Sequence, residues 1–336
     1  MEGAELAARP GYSPRERLLD WADRNPALAA TAVLALIALV LVASYGLHDV
    51  AQTALNGLTN GSIYALGAVG LTLVYGILRL TNFAHGDYLT FGAYMAYLVN
   101  VTWDLPLVVG VFFAMAATAV MSIVVERVMW RPMRAKRAGF LQLILMSIGL
   151  AFVIRSAIQW FWGTEIRGLN VDITSTVTFL GLRIGRTELI VVIVGIAVLV
   201  AVGLLLRYSL LGKQMRALSD DLDLAETAGI DTRRVILFTW VLAGGLAGLA
   251  GVLAGELANL TPDLGFQLLL PIFAAVILGG IGNPFGALTA GVVLGVVIEW
   301  STLVVDARWK VTFGFIALII ALIIRPQGIF GRATGV

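Results

Sequence analysis

The chain has 336 residues, of which 59% are hydrophobic and 13% charged, with a formal net charge of +2. Soluble domains carry about 25% charged residues, so this much apolar surface cannot be hidden inside one water-facing globule, and lipid is its natural solvent. The absence of cysteine excludes a disulfide framework and thiolate metal sites; two histidines far apart in sequence, His48 and His85, do not suggest a zinc centre, and the small net charge gives no reason to expect nucleic acid as a partner.

Residues 1–26 are polar and mixed in charge, and read as a cytoplasmic tail. The first apolar run, Ala27 to Tyr45, is long enough to span a bilayer and lacks a small-residue cleavage site, so a retained anchor helix is expected rather than a cleaved signal. Further runs follow at 53–78, 86–101, 107–126, 139–162, 188–206, 235–258, 267–282, 287–304 and 310–325. A spanning helix needs roughly 20 apolar residues. The runs at 86–101 and 267–282 are short enough to be re-entrant or broken, which leaves eight to ten spans. The expected fold is an all-α polytopic membrane helical bundle, with a permease-sized membrane domain over 27–325 and a C-terminal tail at 326–336. The positive-inside rule orients it. With the N-terminus and ten spans placed from the cytoplasm, seventeen of the 23 lysines and arginines fall on the cytoplasmic side, five fall outside, and Arg155 lies within a span.

The second run holds Asn56, Thr59, Asn60 and Ser62 within two turns. Spacings of three and four put the first three on one helix face. Polar groups in a span are costly, so that face either offers donors and acceptors to a small zwitterion or bonds to neighbouring helices. Asn82 to Asp87 is a polar, glycine-containing break between apolar runs, and such breaks are tolerated where they line a cavity. His85 beside Asp87 makes either a gating pair or a structural hydrogen bond that fixes the break. Arg155 costs about 2.5–3.5 kcal/mol near a helix centre, so it needs compensation, with Glu256 or Glu299 as the first expected partner and a substrate carboxylate as the sharper alternative. Residues 163–187 alternate polar with β-branched side chains (Val171, Ile173, Thr174, Val177), which suits a small external hairpin. Gly279 to Gly286, with Asn283 and Pro284, forms a second break, read as a turn or the tip of a re-entrant segment. Glycines four apart (Gly57/Gly61, Gly244/Gly248, Gly251/Gly255, Gly291/Gly295) mark close helix packing.

The loop 207–234 is expected in the cytoplasm and reads as a short amphipathic helix. Asp223 with Glu226 suggests a capping box, Gly229 a left-handed terminus, and Asp231 the cap of the following span. Leu222, Leu224 and Ala225 are expected to be exposed, either for a groove on a partner or as part of a plain solvated connection.

Leu55-Asn56-Gly57 through Gly61-Ser62-Ile63-Tyr64-Ala65-Leu66, then Asn82-Phe83-Ala84-His85-Gly86-Asp87, and Gly279-Gly280-Ile281-Gly282-Asn283-Pro284-Phe285-Gly286-Ala287 closely resemble the LivH-type permeases of branched-chain amino acid ABC importers. Ala225-Glu226-Thr227-Ala228-Gly229 is a loose version of the coupling motif by which such permeases dock on their ATPase. The resemblance covers roughly residues 50–330 and leaves residues 27–45 as an added span. It implies a LivM-like second permease subunit, two ATP-binding subunits that hold ATP and Mg, an extracytoplasmic substrate-binding protein, and an inner-membrane location with both termini in the cytoplasm. The same pattern serves urea and short amides. An ion-driven secondary transporter is a separate class, distinguished by having no motor to dock. The sequence has no Gly-x-x-x-x-Gly-Lys-[Ser/Thr] loop, so ATP hydrolysis is expected from a partner, and no cluster of catalytic groups suggests an enzyme.

Overall fold

The computed structural model describes residues 25–171, 175–179, 181–325 and 328–329. The tail expected at 1–26 lies almost wholly outside them, as do Ile173, Thr174 and most of 326–336. The chain divides into two compact units, 1–50 and 51–336. In the first, α1 (Pro26–Tyr45) starts with proline at its first turn, where the missing N–H costs nothing, and ends at Gly46 with φ +88°.

The second unit is a helical bundle. α2 (Leu47–Leu78) leads to a non-helical segment, 79–84. α3 (His85–Tyr97) runs on through a π-turn, Leu98–Thr102. α4 (Leu107–Val125) passes through a second π-turn, Glu126–Trp130, into α5 (Arg131–Ala135). α6 (Phe140–Trp162) is followed by the antiparallel pair β1 (Thr176–Phe179) and β2 (Leu182–Gly185), the small hairpin expected from the alternation. Then come α7 (Arg186–Tyr208), α8 (Leu210–Asp220), α9 (Leu222–Thr227), α10 (Thr232–Leu257), α11 (Leu264–Gly279), α12 (Pro284–Ser301) and α13 (Lys310–Ile324). Among the described residues, seven helices are long and apolar enough to cross a membrane; α11 is a shorter apolar helix.

Hydrogen bonds between distant segments sort the connections of the second unit into two ends. At one, Ser219 Oγ donates to Gly76 O at 3.0 Å, Arg79 to Ser219 O at 3.3 Å, and Gly282 N to Thr72 Oγ1 at 3.2 Å. At the other, Gln52 exchanges two bonds with the Arg183 backbone. There too Arg167 pairs with Leu260, and Asn100 Oδ1 accepts from Asn170 N at 2.8 Å. Segments that the span count assigns to one side of the bilayer therefore meet at one end of the bundle.

Lipid offers helices no hydrophobic reason to associate, so close packing must supply it. Glycine makes that possible along the α2–α12 seam. A Cβ on Gly57 would lie 2.5 Å from Val296 Cα, and one on Gly61 2.7 Å from Val292 O. α10 does the same against α3 and α4: Gly248 faces Ala114 and Thr118, while Gly251 faces Leu89 O. α2, α3 and α10 thus form a buried interior, and α4, α6 and α7 turn Phe112, Phe152, Val153 and Ile193 outward.

Candidate functional site

The polar interior begins on α2. Thr59 and Ser62 donate to the carbonyls of Leu55 and Leu58, four residues back. Their hydroxyls are thereby satisfied within the helix. Asn56 Oδ1 accepts from Gln52 Nε2 at 3.3 Å. Asn60 alone of this group reaches across: its Nδ2 donates to Glu299 Oε1 of α12 at 2.9 Å, and Lys310 Nζ reaches the same oxygen at 2.9 Å. The α2 polar face is therefore mostly self-contained, with one polar link to the second half of the chain.

The break after α2 turns the chain back inward. His85 Nε2 bonds to Gly67 O at 2.9 Å, a level about 16 Å along α2 from its Leu78 end at 1.5 Å per residue. α3 therefore starts in the interior. Asn82 Oδ1 accepts from Ala84 N at 3.1 Å, which shapes the turn, while its Nδ2 is buried without a partner. α11 also starts there, from the opposite direction. Gly265 abuts Gly86, and Gly265 N donates to Thr90 Oγ1 at 2.9 Å. Two helix N-termini, each carrying partial positive charge, thus meet inside the bundle.

An ion-pair network sits at that meeting point. Arg155 Nε on α6 donates to Asp87 Oδ1 at 3.1 Å, and its Nη1 lies 3.3 Å from Asp263 Oδ1. The Asp87 side chain is 0% exposed and its Oδ2 has no partner; Arg155 is 15% and Asp263 53% exposed. The guanidinium also lies 4.6 Å from the Phe266 ring centroid, a favourable cation–π position. This corrects the expected pairing. Arg155 meets neither Glu256 nor Glu299: Glu299 is held by Asn60 and Lys310, and Glu256 forms no ion pair among the described residues. His85 and Asp87 do not pair either, because each faces a different neighbour. Asp263 is the residue the sequence reading missed. An aspartate directly before an apolar run signals a helix cap, but this side chain makes no cap bond and turns to Arg155 instead.

The 280–283 break is a turn between two helices. Gly280 and Gly282 take φ +90° and +85°, which only glycine adopts freely, and Asn283 Oδ1 caps α12 by accepting from Gly286 N at 3.1 Å.

The 207–234 connection holds two helices rather than one. Ser209 caps α8 and Asp221, not Asp223, caps α9 through Leu224 N at 2.9 Å. The expected Asp223–Glu226 capping box is absent, since the helix begins two residues earlier. Gly229 takes φ +84° and Asp231 caps α10 through Arg234 N at 3.0 Å. Leu224 is 66% exposed; Leu222 is half-buried, and Ala225 is buried rather than exposed because Ile230 N bonds back to its carbonyl and folds the chain over it. Glu226 and Ala228 lie on the open side.

Among the described residues seven helices are long and apolar enough to cross a membrane, and the second unit has an ionic, glycine-packed interior; these features define a multi-pass membrane protein. The family model for "Branched-chain amino acid transport system / permease component" matches residues 53–322. The high-affinity branched-chain amino acid transport system permease protein LivH of Salmonella typhimurium is 31% identical over 303 residues, covering 84% of this chain and 95% of its own. BraD of Pseudomonas aeruginosa, of the same description, is 31% identical over 295 residues with the same coverage. LivM of Escherichia coli is 24% identical over 326 residues, covering 88% of this chain and 74% of its own. The chain belongs to this permease family and is a transmembrane permease subunit of an ABC importer.

Proposed function

We propose that the subunit forms, with a second LivM-like permease subunit, a path for branched-chain or other neutral amino acids across the inner membrane, with both termini in the cytoplasm. In this reading, two ATP-binding subunits hold ATP and Mg and dock on α8–α9, and an extracytoplasmic binding protein delivers the solute. The relation to LivH and BraD along most of the chain is the observation that carries it. Two features of the molecule fit. Arg155, 15% exposed, and Asp263, 53% exposed, present opposite charges beside each other, as the two ends of a zwitterion require. Leu224 projects from a short capped helix at the end of the bundle where arginines concentrate, a shape suited to a groove on a motor subunit.

The test is Leu224→Asp in the assembled transporter. The side chain touches little in this chain, so membrane level and thermal stability should match wild type. If it anchors the motor, uptake should fall about tenfold or more, as for a buried interface anchor. Unchanged uptake at equal protein level would remove α9 from the coupling role.

A further inference from the structure

We infer that an arginine-lined cleft beside the second π-turn binds the phosphate of an anionic phospholipid headgroup. The cleft has a volume of 330 Å³ and is lined by Glu126, Arg127, Arg131 and Arg134 together with Thr232, Arg233, Ile236 and Leu237 from the start of α10. Glu126 is buried and takes up one guanidinium: both of its oxygens accept from Arg134, one at 3.1 Å. The other three arginines make no ion pair among the described residues. The lining therefore has an excess of three positive charges around a cavity of headgroup size.

Position selects a lipid over a soluble anion. Val120 and Val124 are strongly exposed near the end of α4, and at the same three- and four-residue spacing Arg127 of the π-turn and Arg131 at the start of α5 continue that exposed face. The change from valine to arginine marks the level where hydrocarbon gives way to headgroups. Ile236 and Leu237 add an apolar wall to the same cavity, which suits an amphiphile and gives nothing to a free ion. Basic pockets between membrane helices on the cytoplasmic side hold anionic headgroups by this logic. The floor is firm: Trp130, at the end of the π-turn, is buried and stacks on Trp240 of α10 with ring centroids 6.3 Å apart. The arginines are thus fixed to a rigid corner where α4 and α10 meet.

The full chain, purified in a neutral detergent, would be titrated with phosphatidylglycerol, phosphatidylcholine and inorganic phosphate, with binding read by native mass spectrometry and melting temperature. Wild type should bind phosphatidylglycerol well above phosphatidylcholine and above inorganic phosphate. Arg131→Gln/Arg233→Gln should weaken it about fivefold per arginine removed. Lys136→Gln/Arg137→Gln, an equal charge loss at exposed residues outside the cleft, should leave binding unchanged. Both double variants change exposed side chains, and retained helical circular dichroism checks that they fold. Equal binding of the two lipids, equal loss in both variants, or inorganic phosphate matching phosphatidylglycerol would each overturn the assignment. So would a cleft variant that keeps phosphatidylglycerol but loses its ATPase subunits, which would make the cleft a protein-docking surface.

Discussion

α2 and α7 are both long enough to cross a bilayer, and they are built in opposite ways. The spanning window of α2 is 89% buried and carries asparagine, threonine, serine and glycine; that of α7 is 33% buried and almost wholly aliphatic. In water the more apolar helix would take the centre. In lipid the outer shell can be as apolar as hydrocarbon at no cost, while polar and small residues gain only where another helix meets them. The less apolar helices of this chain are therefore its core. Small residues alone separate another pair: the spanning windows of α10 and α6 are about equally apolar, yet that of α10, a helix with five glycines, is 72% buried and that of α6, a helix with one, is 17% buried.

The sharpest way to break that contrast is to put bulk into the core seams. Gly251→Leu and Gly265→Leu would drive side chains into the Leu89 and Gly86 carbonyls, where backbone must move. Each should cost about 3 kcal/mol or more and abolish a monodisperse peak in size-exclusion chromatography. Next is the ionic centre. Arg155→Gln leaves Asp87 buried and uncompensated, at a cost of about 3–5 kcal/mol; in an Asp87→Asn background the same change should cost far less. Thermal unfolding of the four proteins in nanodiscs measures the difference, and additive losses would mean the two side chains do not act as a pair. Asn60→Ala removes one interhelical bond to Glu299 and should cost about 0.6–1.7 kcal/mol by the same assay. The smallest effect belongs to the shell. A Cβ on Gly149 of α6 meets nothing within 4 Å, so Gly149→Ala should be neutral or add up to about 1 kcal/mol through helix propensity. A large loss there would mean that α6 is not outer shell.

Much of this architecture is legible in the sequence, because hydrophobic run length reports directly on the bilayer. The apolar runs locate the membrane helices, and the glycine pairs locate the seams. Turn chemistry is legible where it rests on one residue, as at Gly229, Asp231 and Gly282. Pairing inside the membrane is not. Arg155 needs a counter-charge, but nothing in the order of residues says that the interior starts of α3 and α11 bring Asp87 and Asp263 to it in place of the more conspicuous Glu256 and Glu299. Asp263 looks like a cap, and only the tertiary structure shows its side chain turned away. Ala225 looks exposed beside Leu224, yet the chain folds over it after α9. The α2 polar face also reads as more open than it is, since Thr59 and Ser62 are spent on their own helix.

The most direct test of the account is leucine uptake into proteoliposomes containing this subunit, with the second permease, binding protein and ATP-binding subunits added or withheld in turn. Uptake should require ATP and the ATP-binding subunits, with none from this chain alone. Leucine movement by this chain without a motor, or nucleotide hydrolysis by it in isolation, would contradict it.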